Sequence, residues 1–478
     1  MSQSRHPSLA GWSIVLGLCT ASPSLAQTPT LPQRGYAAAI GAHHICAGVF
    51  VVGRDYQRSP ETVLAQDVIP FPHFLWQSDF EYTVYQSTGL VTVRGQGIQA
   101  RSARYTGDQG CSILPRGATD VSFMPVDVPT VLADAETVAW PMGDLNARAR
   151  RLPPVSQAAL DVALDRGASA PGQNTRAIVV VHKGKIIGER YAPGFTRNTP
   201  QISWSMGKSI TAALVGVLVR QGHFTVNDVA PVAEWRVAGD PRNTITVAHL
   251  LRMSSGLDFT NFGLTGPDSY SLGNEHFVIY FDALNVFEHA VNQPLSIRPN
   301  SQWRYRNSDP LTLGRIIRET VEGRGESYHE FPQRHLFDRI GARNFVLETD
   351  AYGNFIMTGY DFGSARDWAR FGLLHLQEGM WEGEHILPSG WIDFITTPAP
   401  ADRSLGYGGL WWLNRGGALD QVPPDAYWAA GHMGQLTMVI PSREMVIVRL
   451  GPSAGGFNAY FNNLVGEILE ALGVEVAR

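Results

Sequence analysis

Residues 205–221 read SMGKSITAALVGVLVRQ, and this stretch decides the fold. Apolar side chains recur at helical spacing from Met206 to Leu218, and further apolar residues fill the remaining faces. The pattern therefore predicts a helix that is buried on most sides and ends at Gly222. Ser205 and Lys208 are three residues apart, which places both side chains on one face at the start of this helix.

The Ser-x-x-Lys spacing indicates nucleophilic catalysis. A serine hydroxyl is a weak nucleophile until a base removes its proton, and a lysine buried in an apolar helix has a lowered pKa and can be that base. Lys183, Lys185 and Lys208 are the lysines of the chain, whereas the other 35 of its 38 basic residues are arginines. Arginine cannot lose its proton, so it cannot replace a lysine base. The alternative is a helix-capping serine beside a lysine that reaches solvent.

The stretch Tyr305-Arg306-Asn307 supplies a candidate proton shuttle, Tyr305, and a substrate-orienting amide, Asn307. A phenol near a cationic group can pass a proton to the leaving group. Tyr305 precedes Ser308-Asp309-Pro310, a predicted helix start. The same Tyr-x-Asn pattern recurs at residues 352–354, where a turn is predicted, and at residues 460–462, where a packed helix is predicted. A tyrosine that only packs is the alternative at position 305.

A third motif, His432-Met433-Gly434-Gln435, opens a predicted C-terminal hairpin. Gly434 at a strand edge lets a substrate lie against the backbone. The Gln435 N–H is then placed to join the Ser205 N–H as an oxyanion hole. An ordinary strand histidine is the alternative for His432.

These three motifs, in this order, resemble the serine β-lactamase and penicillin-binding-protein superfamily. The closer resemblance is to its esterase and amidase branch, the β-lactamase-like carboxylesterases and 6-aminohexanoate-dimer hydrolases, which residues 247–257 and 364–372 also resemble. The resemblance covers about residues 150–478. It implies an α/β, β-lactamase/D,D-peptidase-like fold, with an antiparallel sheet flanked by helices, a helical subdomain and the site between them. Strict β-lactam binders carry Lys-Thr-Gly where this chain has His432-Met433-Gly434, so a permanent cation for a substrate carboxylate is missing.

We therefore expect a serine hydrolase that cleaves carboxylic esters or simple amides through a Ser205 acyl-enzyme, without a cofactor. A β-lactamase or D,D-peptidase is one alternative, and an inactive relative that binds peptides or proteins is another. A small-molecule ester or amide is the expected partner. The formal net charge of −5, with no basic patch, argues against nucleic acid. The oligomeric state stays open.

The N-terminus predicts export. Residues 1–26 read as a signal peptide, with an apolar stretch and a small-x-small cleavage pattern at Ser24-Leu25-Ala26. A periplasmic or secreted protein is expected, with no membrane span in the mature chain. Residues 27–35 are then a linker, 36–130 a small β-rich unit, 131–155 a connector and 156–478 the hydrolase domain. An oxidising compartment predicts a disulfide between Cys46 and Cys111, with two separate thiols as the alternative.

Two other patterns lack the residues that their chemistry needs. Gly451-Pro452-Ser453-Ala454-Gly455 matches a nucleophile elbow, but no Asp or His follows Ser453 to complete a triad. His329-Glu330 lacks the second histidine of a metalloprotease motif, because residue 333 is glutamine. No metal is expected.

Overall fold

The computed structural model describes residues 31–54, 57–69, 76–148, 152, 154–259 and 275–473. The predicted signal peptide and its cleavage site lie outside these residues. Within them the α-helices are α1 (Leu31–Cys46), α2 (Pro60–Val63), α3 (Pro154–Ser169), α4 (Gly207–Arg220), α5 (Val247–Leu251), α6 (Glu275–Phe281), α7 (Val286–Val291), α8 (Ser308–Glu322), α9 (Ala365–Leu376), α10 (Trp391–Thr396) and α11 (Phe457–Ala471).

The same residues contain fifteen β-strands, of which the first four form a separate N-terminal sheet. The N-terminal sheet contains β1 (Glu81–Tyr85), β2 (Leu90–Arg94), β3 (Arg101–Tyr105) and β4 (Cys111–Ile113). The other strands, in chain order, are β5 (Ala177–His182), β6 (Lys185–Tyr191), β7 (Gln201–Ile202), β8 (Val346–Leu347), β9 (Asp361–Gly363), β10 (Met380–Trp381), β11 (Glu384–His385), β12 (Trp412–Leu413), β13 (Tyr427–Gly431), β14 (Gln435–Ile440) and β15 (Met445–Leu450).

The centre of the predicted hydrolase domain is an antiparallel sheet with the strand order β12-β13-β14-β15-β5-β6. Successive residues of a strand point to opposite faces, so Ile178 and Val180 join one apolar cluster while Val179 and Val181 join another. Helices α3 and α11 cover the first face, and α4 and α9 cover the second. Two hairpins belong to this sheet, β5–β6 and β14–β15, and the second is the predicted C-terminal hairpin, which is confirmed. The predicted α/β fold class, with an antiparallel sheet flanked by helices, is likewise confirmed.

Helix α4 is the buried helix that the sequence predicts, although a 3-10 turn at Trp204–Met206 precedes it. Every residue from Gly207 to Leu218 is buried. A small sheet of β7, β9 and β8 brings the segment before β9 next to the start of α4. Helices α5 to α8 form the predicted helical subdomain, and their apolar residues join the cluster that contains α4. The candidate site lies where α4 meets this subdomain and the β13–β14 turn.

The N-terminal unit combines helices with the sheet of β1 to β4. The predicted disulfide between Cys46 and Cys111 is present and joins the end of α1 to β4. The prediction of β structure for residues 36–130 is confirmed for 81–113 but wrong for 36–52 and 60–68, which are helical. The predicted linker 27–35 is also wrong from Leu31 onward, because α1 begins there. Alanine-rich α1 is buried on nearly all sides, so no helical periodicity marks it in the sequence.

One segment of the described residues, Leu31–Val52, is long and apolar enough to cross a membrane. Its most apolar window is 89% buried inside the structure. Residues of α1 and of the following turn pack against β2, β3 and β4 in a single apolar cluster. Leu31–Val52 is therefore the core helix of the N-terminal unit.

Candidate active site

The main chain around Ser205 is tightly fixed. Ser203 donates its N–H to the Asp361 carbonyl at 2.8 Å, and its hydroxyl accepts from the Trp368 indole N–H at 2.8 Å. Trp204 has φ +52, a left-handed conformation that is uncommon for a residue other than glycine. Ser205 follows in the 3-10 turn and is half-buried, so its hydroxyl stands at the start of α4 with access to solvent.

Lys208 reaches Ser205 directly. Its Nζ lies 2.9 Å from Ser205 Oγ and donates to the Thr358 carbonyl, also at 2.9 Å. Lys208 is 1% exposed, and this burial lowers its pKa to about 7. The smaller electrostatic effect of Asp361 acts in the other direction and raises the Lys208 pKa. A neutral amine that donates one N–H to the Thr358 carbonyl still has a lone pair that can accept the serine proton. The predicted burial of Lys208 is thus present in the fold.

The carboxyl of Asp361 is packed against the first residue of α4. A Cβ added to Gly207 would lie 2.2 Å from Asp361 Oδ1, so only glycine fits between the serine and the lysine at this point. Asp361 is fully buried, and burial raises its pKa well above its usual range. The Ser-Met-Gly-Lys sequence therefore combines the candidate catalytic pair with a packing requirement at Gly207.

Tyr305 stands over the same pair. Its ring centroid is 4.9 Å from Lys208 Nζ, and its hydroxyl is within hydrogen-bonding reach of Ser205. Burial raises the pKa of Tyr305 well above its usual value, so the phenol keeps its proton at neutral pH. Its ring stacks on Trp412 at 5.5 Å. The phenol is therefore oriented toward Ser205, and its ring is held by packing against Trp412.

Asn307 and a tyrosine that the sequence analysis missed complete this side of the site. Asn307 is fully buried at the N-cap of α8, and its side chain meets the Tyr280 hydroxyl. The Tyr280 hydroxyl also donates to the Thr358 carbonyl at 2.7 Å, the oxygen that accepts from Lys208. Tyr280 thus helps to fix the acceptor of the lysine. Nothing in its neighbourhood in the sequence signals this role.

The third motif forms the turn between β13 and β14, with Gly431 paired to Gln435. The His432 ring meets the Trp204 ring edge-on at 5.6 Å. A Cβ on Gly431 would lie 2.0 Å from the Ser203 carbonyl, so the turn approaches the serine segment as closely as backbone allows. The predicted site residue His432 therefore lies beside Trp204, the residue that precedes Ser205.

Gly434 and the side chain of Gln435 have structural roles in this turn. A Cβ on Gly434 would meet Arg449 and Ser453, and φ at Gly434 is +81, so glycine serves the turn conformation. The Gln435 amide bonds the Gly451 N–H and carbonyl, both at 2.8 Å. Any contribution of Gln435 to an oxyanion hole must therefore come from its backbone N–H.

A buried arginine holds this turn from behind. Arg449 on β15 is fully buried and donates to the Gly434 carbonyl at 2.7 Å and to Thr175 Oγ1 at 3.2 Å. Burial lowers its pKa to about 10, which leaves it charged at neutral pH. A lone arginine inside an apolar strand was a signal for this role that the sequence analysis did not use.

The competing patterns lie in ordinary structural settings. Ser453 is buried and donates to Gln173 Oε1 at 2.5 Å, so its hydroxyl is engaged in packing the turn. Tyr352, of the second Tyr-x-Asn pattern, is 38% exposed. Tyr460, of the third, donates to the Gly167 carbonyl at 2.9 Å. Of the three Tyr-x-Asn tyrosines, Tyr305 is the one that meets Ser205 and Lys208.

Comparison with known proteins agrees with this geometry. Residues 166–460 match the beta-lactamase family. The chain belongs to that family. It is 23% identical over 341 residues to the 6-aminohexanoate-dimer hydrolase of Paenarthrobacter ureafaciens, which covers 66% of this chain and 80% of that protein.

Two solved structures illustrate the shared fold. A penicillin-binding-protein homologue from Caulobacter crescentus has a TM-score of 0.53 and 14% identity, and covers 68% of this chain and 99% of its own. A family VIII carboxylesterase has a TM-score of 0.52 and 14% identity, with the same coverage. The expected relation to the esterase and amidase branch is confirmed, and the chain is a serine hydrolase. Residues 1–165, with the N-terminal unit, precede the matched region.

Proposed function

We propose that this hydrolase cleaves carboxylic esters or simple amides through an acyl-enzyme on Ser205, with Lys208 as the base. The observation that carries the proposal is the 2.9 Å contact between Lys208 Nζ and Ser205 Oγ, combined with the burial that lowers the Lys208 pKa to about 7. Near neutral pH a substantial fraction of the lysine is then an unprotonated amine beside the nucleophile. This is the protonation state that general-base catalysis requires.

The proposed reaction has two halves. Lys208 takes the Oγ proton as Oγ attacks the substrate carbonyl, and the backbone N–H groups of Ser205 and Gln435 stabilise the oxyanion. The Tyr305 hydroxyl passes a proton to the departing alcohol or amine and recovers one from Lys208. Water then attacks the acyl-enzyme, gives its proton to the same groups, and releases the acid and Ser205. Asn307 orients the substrate beside Tyr305.

The third motif favours esters and simple amides over β-lactams. His432 stands where strict β-lactam binders carry a lysine, so the site lacks a permanent cation for a substrate carboxylate. The relative from Paenarthrobacter ureafaciens is named for hydrolysis of the 6-aminohexanoate dimer, a linear amide. A carboxylesterase shares the fold. Both kinds of relative support the same reaction class for this chain.

Aromatic side chains next to the nucleophile favour an apolar group on the substrate. Trp303, Tyr305 and Trp412 are partly exposed, and the Trp412 ring contacts the Trp303 ring at 6.1 Å and the Tyr305 ring at 5.5 Å. Partly exposed aromatic rings bind apolar groups by burying their surface. We therefore expect turnover to rise with the length of an alkyl chain until this aromatic wall is covered.

A substrate panel tests the proposal. It contains p-nitrophenyl esters of increasing chain length, a linear 6-aminohexanoate dimer, nitrocefin and a D-Ala-D-Ala peptide, each with Ser205→Ala as the control. Ser205-dependent turnover of the esters or the linear amide is expected. Fast nitrocefin cleavage would show that His432 does not exclude β-lactams. Absence of turnover and of fluorophosphonate labelling at Ser205 would point to an inactive binding relative.

We also propose that the chain is exported and loses residues 1–26. The signal-like N-terminus and the Cys46–Cys111 disulfide, which an oxidising compartment favours, support this. Mass spectrometry of the protein from the periplasm or the medium should find an N-terminus near Gln27. Recovery of the full-length chain in the cytoplasm would contradict export.

A further inference from the structure

The N-terminal unit precedes the residues that match the family, yet it reaches the candidate active site. Helix α1 carries two consecutive histidines, His43 and His44, which are 0% and 8% exposed. His44 contacts Trp204, the residue before Ser205, and His43 stacks on Tyr360, which also contacts Trp204. A pocket beside Trp204 is lined by His44 together with Gln201, Met433 and Gln435, so α1 also borders the third motif.

His43 is bonded to a glutamate of the hydrolase domain. Its Nε2 lies 2.6 Å from Glu348 Oε2, and the Cys111 N–H donates to Glu348 Oε1 at 2.8 Å. Both side chains of the His43–Glu348 pair are at most 1% exposed. Since Cys111 is disulfide-bonded to Cys46 at the end of α1, the disulfide, the glutamate and the histidine form one closed structural unit.

The histidines then contact the residues that surround the nucleophile. The His43 ring stacks on Tyr360 with centroids 3.8 Å apart, and its Nδ1 lies 3.3 Å from Nδ1 of His44. The His44 ring meets the Trp204 ring at 5.7 Å, and Tyr360 meets Trp204 at 6.0 Å. Trp204 thus contacts both α1, through His44, and the third motif, through His432.

Hydrogen bonds on both sides of His43 hold the two histidine rings in place. Burial raises the pKa of Glu348 well above its usual range and lowers the pKa of His43 to about 3. His43 bonds Glu348 through Nε2 and His44 through Nδ1, and His44 also bonds the Ile40 carbonyl. These bonds restrain the His44 ring where it meets Trp204.

We propose that the N-terminal unit is part of the catalytic apparatus, with His43, His44 and Glu348 as positioning residues that hold Trp204 and so aim Ser205. The left-handed φ of Trp204 is a strained conformation that persists only where neighbouring groups enforce it. His44 of α1 is one of the neighbouring groups that contact Trp204. The inference rests on the proposed function in one respect, since it takes Ser205 as the nucleophile.

The first test compares two buried histidines in the full chain. His44→Ala is expected to lower kcat and the rate of fluorophosphonate labelling of Ser205 by about tenfold to a hundredfold, because small displacements of a reacting group are costly, while KM changes by less than about twofold. His375→Ala is the matched control, because His375 is fully buried but packs against Phe371 and Trp411. It should lose stability without this loss of kcat.

The second test uses Glu348 and does not depend on His44. Glu348→Gln keeps a donor for His43 and an acceptor for Cys111, whereas Glu348→Leu has a similar volume and keeps neither. Glu348→Gln should retain a several-fold higher kcat than Glu348→Leu, with both variants folded by circular dichroism.

The outcomes separate the two proposals. Wild-type protein that is not labelled at Ser205 overturns the proposed function, and this inference with it. Wild-type protein that is labelled while His44→Ala reacts equally fast, or while the two Glu348 variants have equal kcat, overturns this inference alone and leaves the proposed function standing.

Discussion

The Nζ atom of Lys208 lies 2.9 Å from the Oγ atom of Ser205, and both groups share the Thr358 carbonyl as an acceptor. This relationship joins the first turn of α4 to the segment before β9. Tyr280 donates to the same carbonyl oxygen at 2.7 Å. The lysine therefore has a fixed position that is set by backbone and by a neutral hydroxyl, without a paired carboxylate within salt-bridge distance among the described residues.

Replacement of Lys208 by arginine should abolish turnover. Arginine stays protonated, so it cannot take the serine proton, and loss of general-base catalysis costs about 10²–10⁴-fold in kcat. Hydrolysis of the best ester in the panel measures this. Lys185→Arg is the matched control, because Lys185 is exposed at the start of β6 and should behave as the wild type. Full activity in Lys208→Arg would remove the lysine from the mechanism.

The pH dependence of kcat/KM should show an acid limb with a midpoint near 7. The Lys208 pKa is lowered to about 7, and the amine acts as a base only when it is deprotonated, so activity is lost as pH falls below 7 and is constant above it. Tyr305 adds no alkaline limb below about pH 10, because its pKa is raised above the usual value of a tyrosine. Initial rates from pH 5 to 9, expressed as kcat/KM, measure the profile.

Two controls belong to this pH profile. His432→Gln removes the histidine of the third motif, and the midpoint should stay near 7. A midpoint that disappears in this variant would assign the titration to His432 instead of Lys208. Thermal unfolding over the same pH range separates titration of the site from loss of the fold.

Removal of the Tyr305 hydroxyl should slow the chemical step and leave the packing intact. In Tyr305→Phe the ring still stacks on Trp412 and still faces Lys208, but no proton reaches the leaving group. We expect kcat to fall by about 10²-fold or more with little change in KM. Tyr352→Phe, at the exposed Tyr-x-Asn pattern, is the control. Equal kcat in both variants would show that Tyr305 only packs.

The sequence was informative where a function depends on residues close together along the chain. Ser205 and Lys208 are linked by one helical turn, and His432 and Gln435 by one tight turn, so local geometry alone brings each pair together. The confirmed C-terminal hairpin and the buried helix follow from local hydrophobic patterns in the same way. They contribute strands to the main sheet and position Ser205, which is why the fold class could be predicted.

The remaining parts of the site depend on tertiary contacts that leave no local pattern. The Thr358 carbonyl is a backbone group, and any residue could supply it. Tyr280 reaches it from a separate helix of the subdomain. Helix α1 was missed because its nearly complete burial removes the polar face that reveals a helix. The contacts of His43 and Glu348 then join residues that are 305 positions apart.

Loss of the disulfide should destabilise the N-terminal unit. The Cys46–Cys111 bond closes a loop with a sequence separation of 65 residues, and constraining a loop of this size is worth about 4 kcal/mol by its effect on the unfolded chain. The double variant Cys46→Ser/Cys111→Ser should therefore unfold at a lower denaturant concentration than the oxidised wild type. Reductant should lower the wild-type midpoint toward that of the variant and leave the variant unchanged. Coinciding midpoints in the oxidised wild type and the variant would mean that packing of α1 on β2 to β4 holds the unit without the covalent bond.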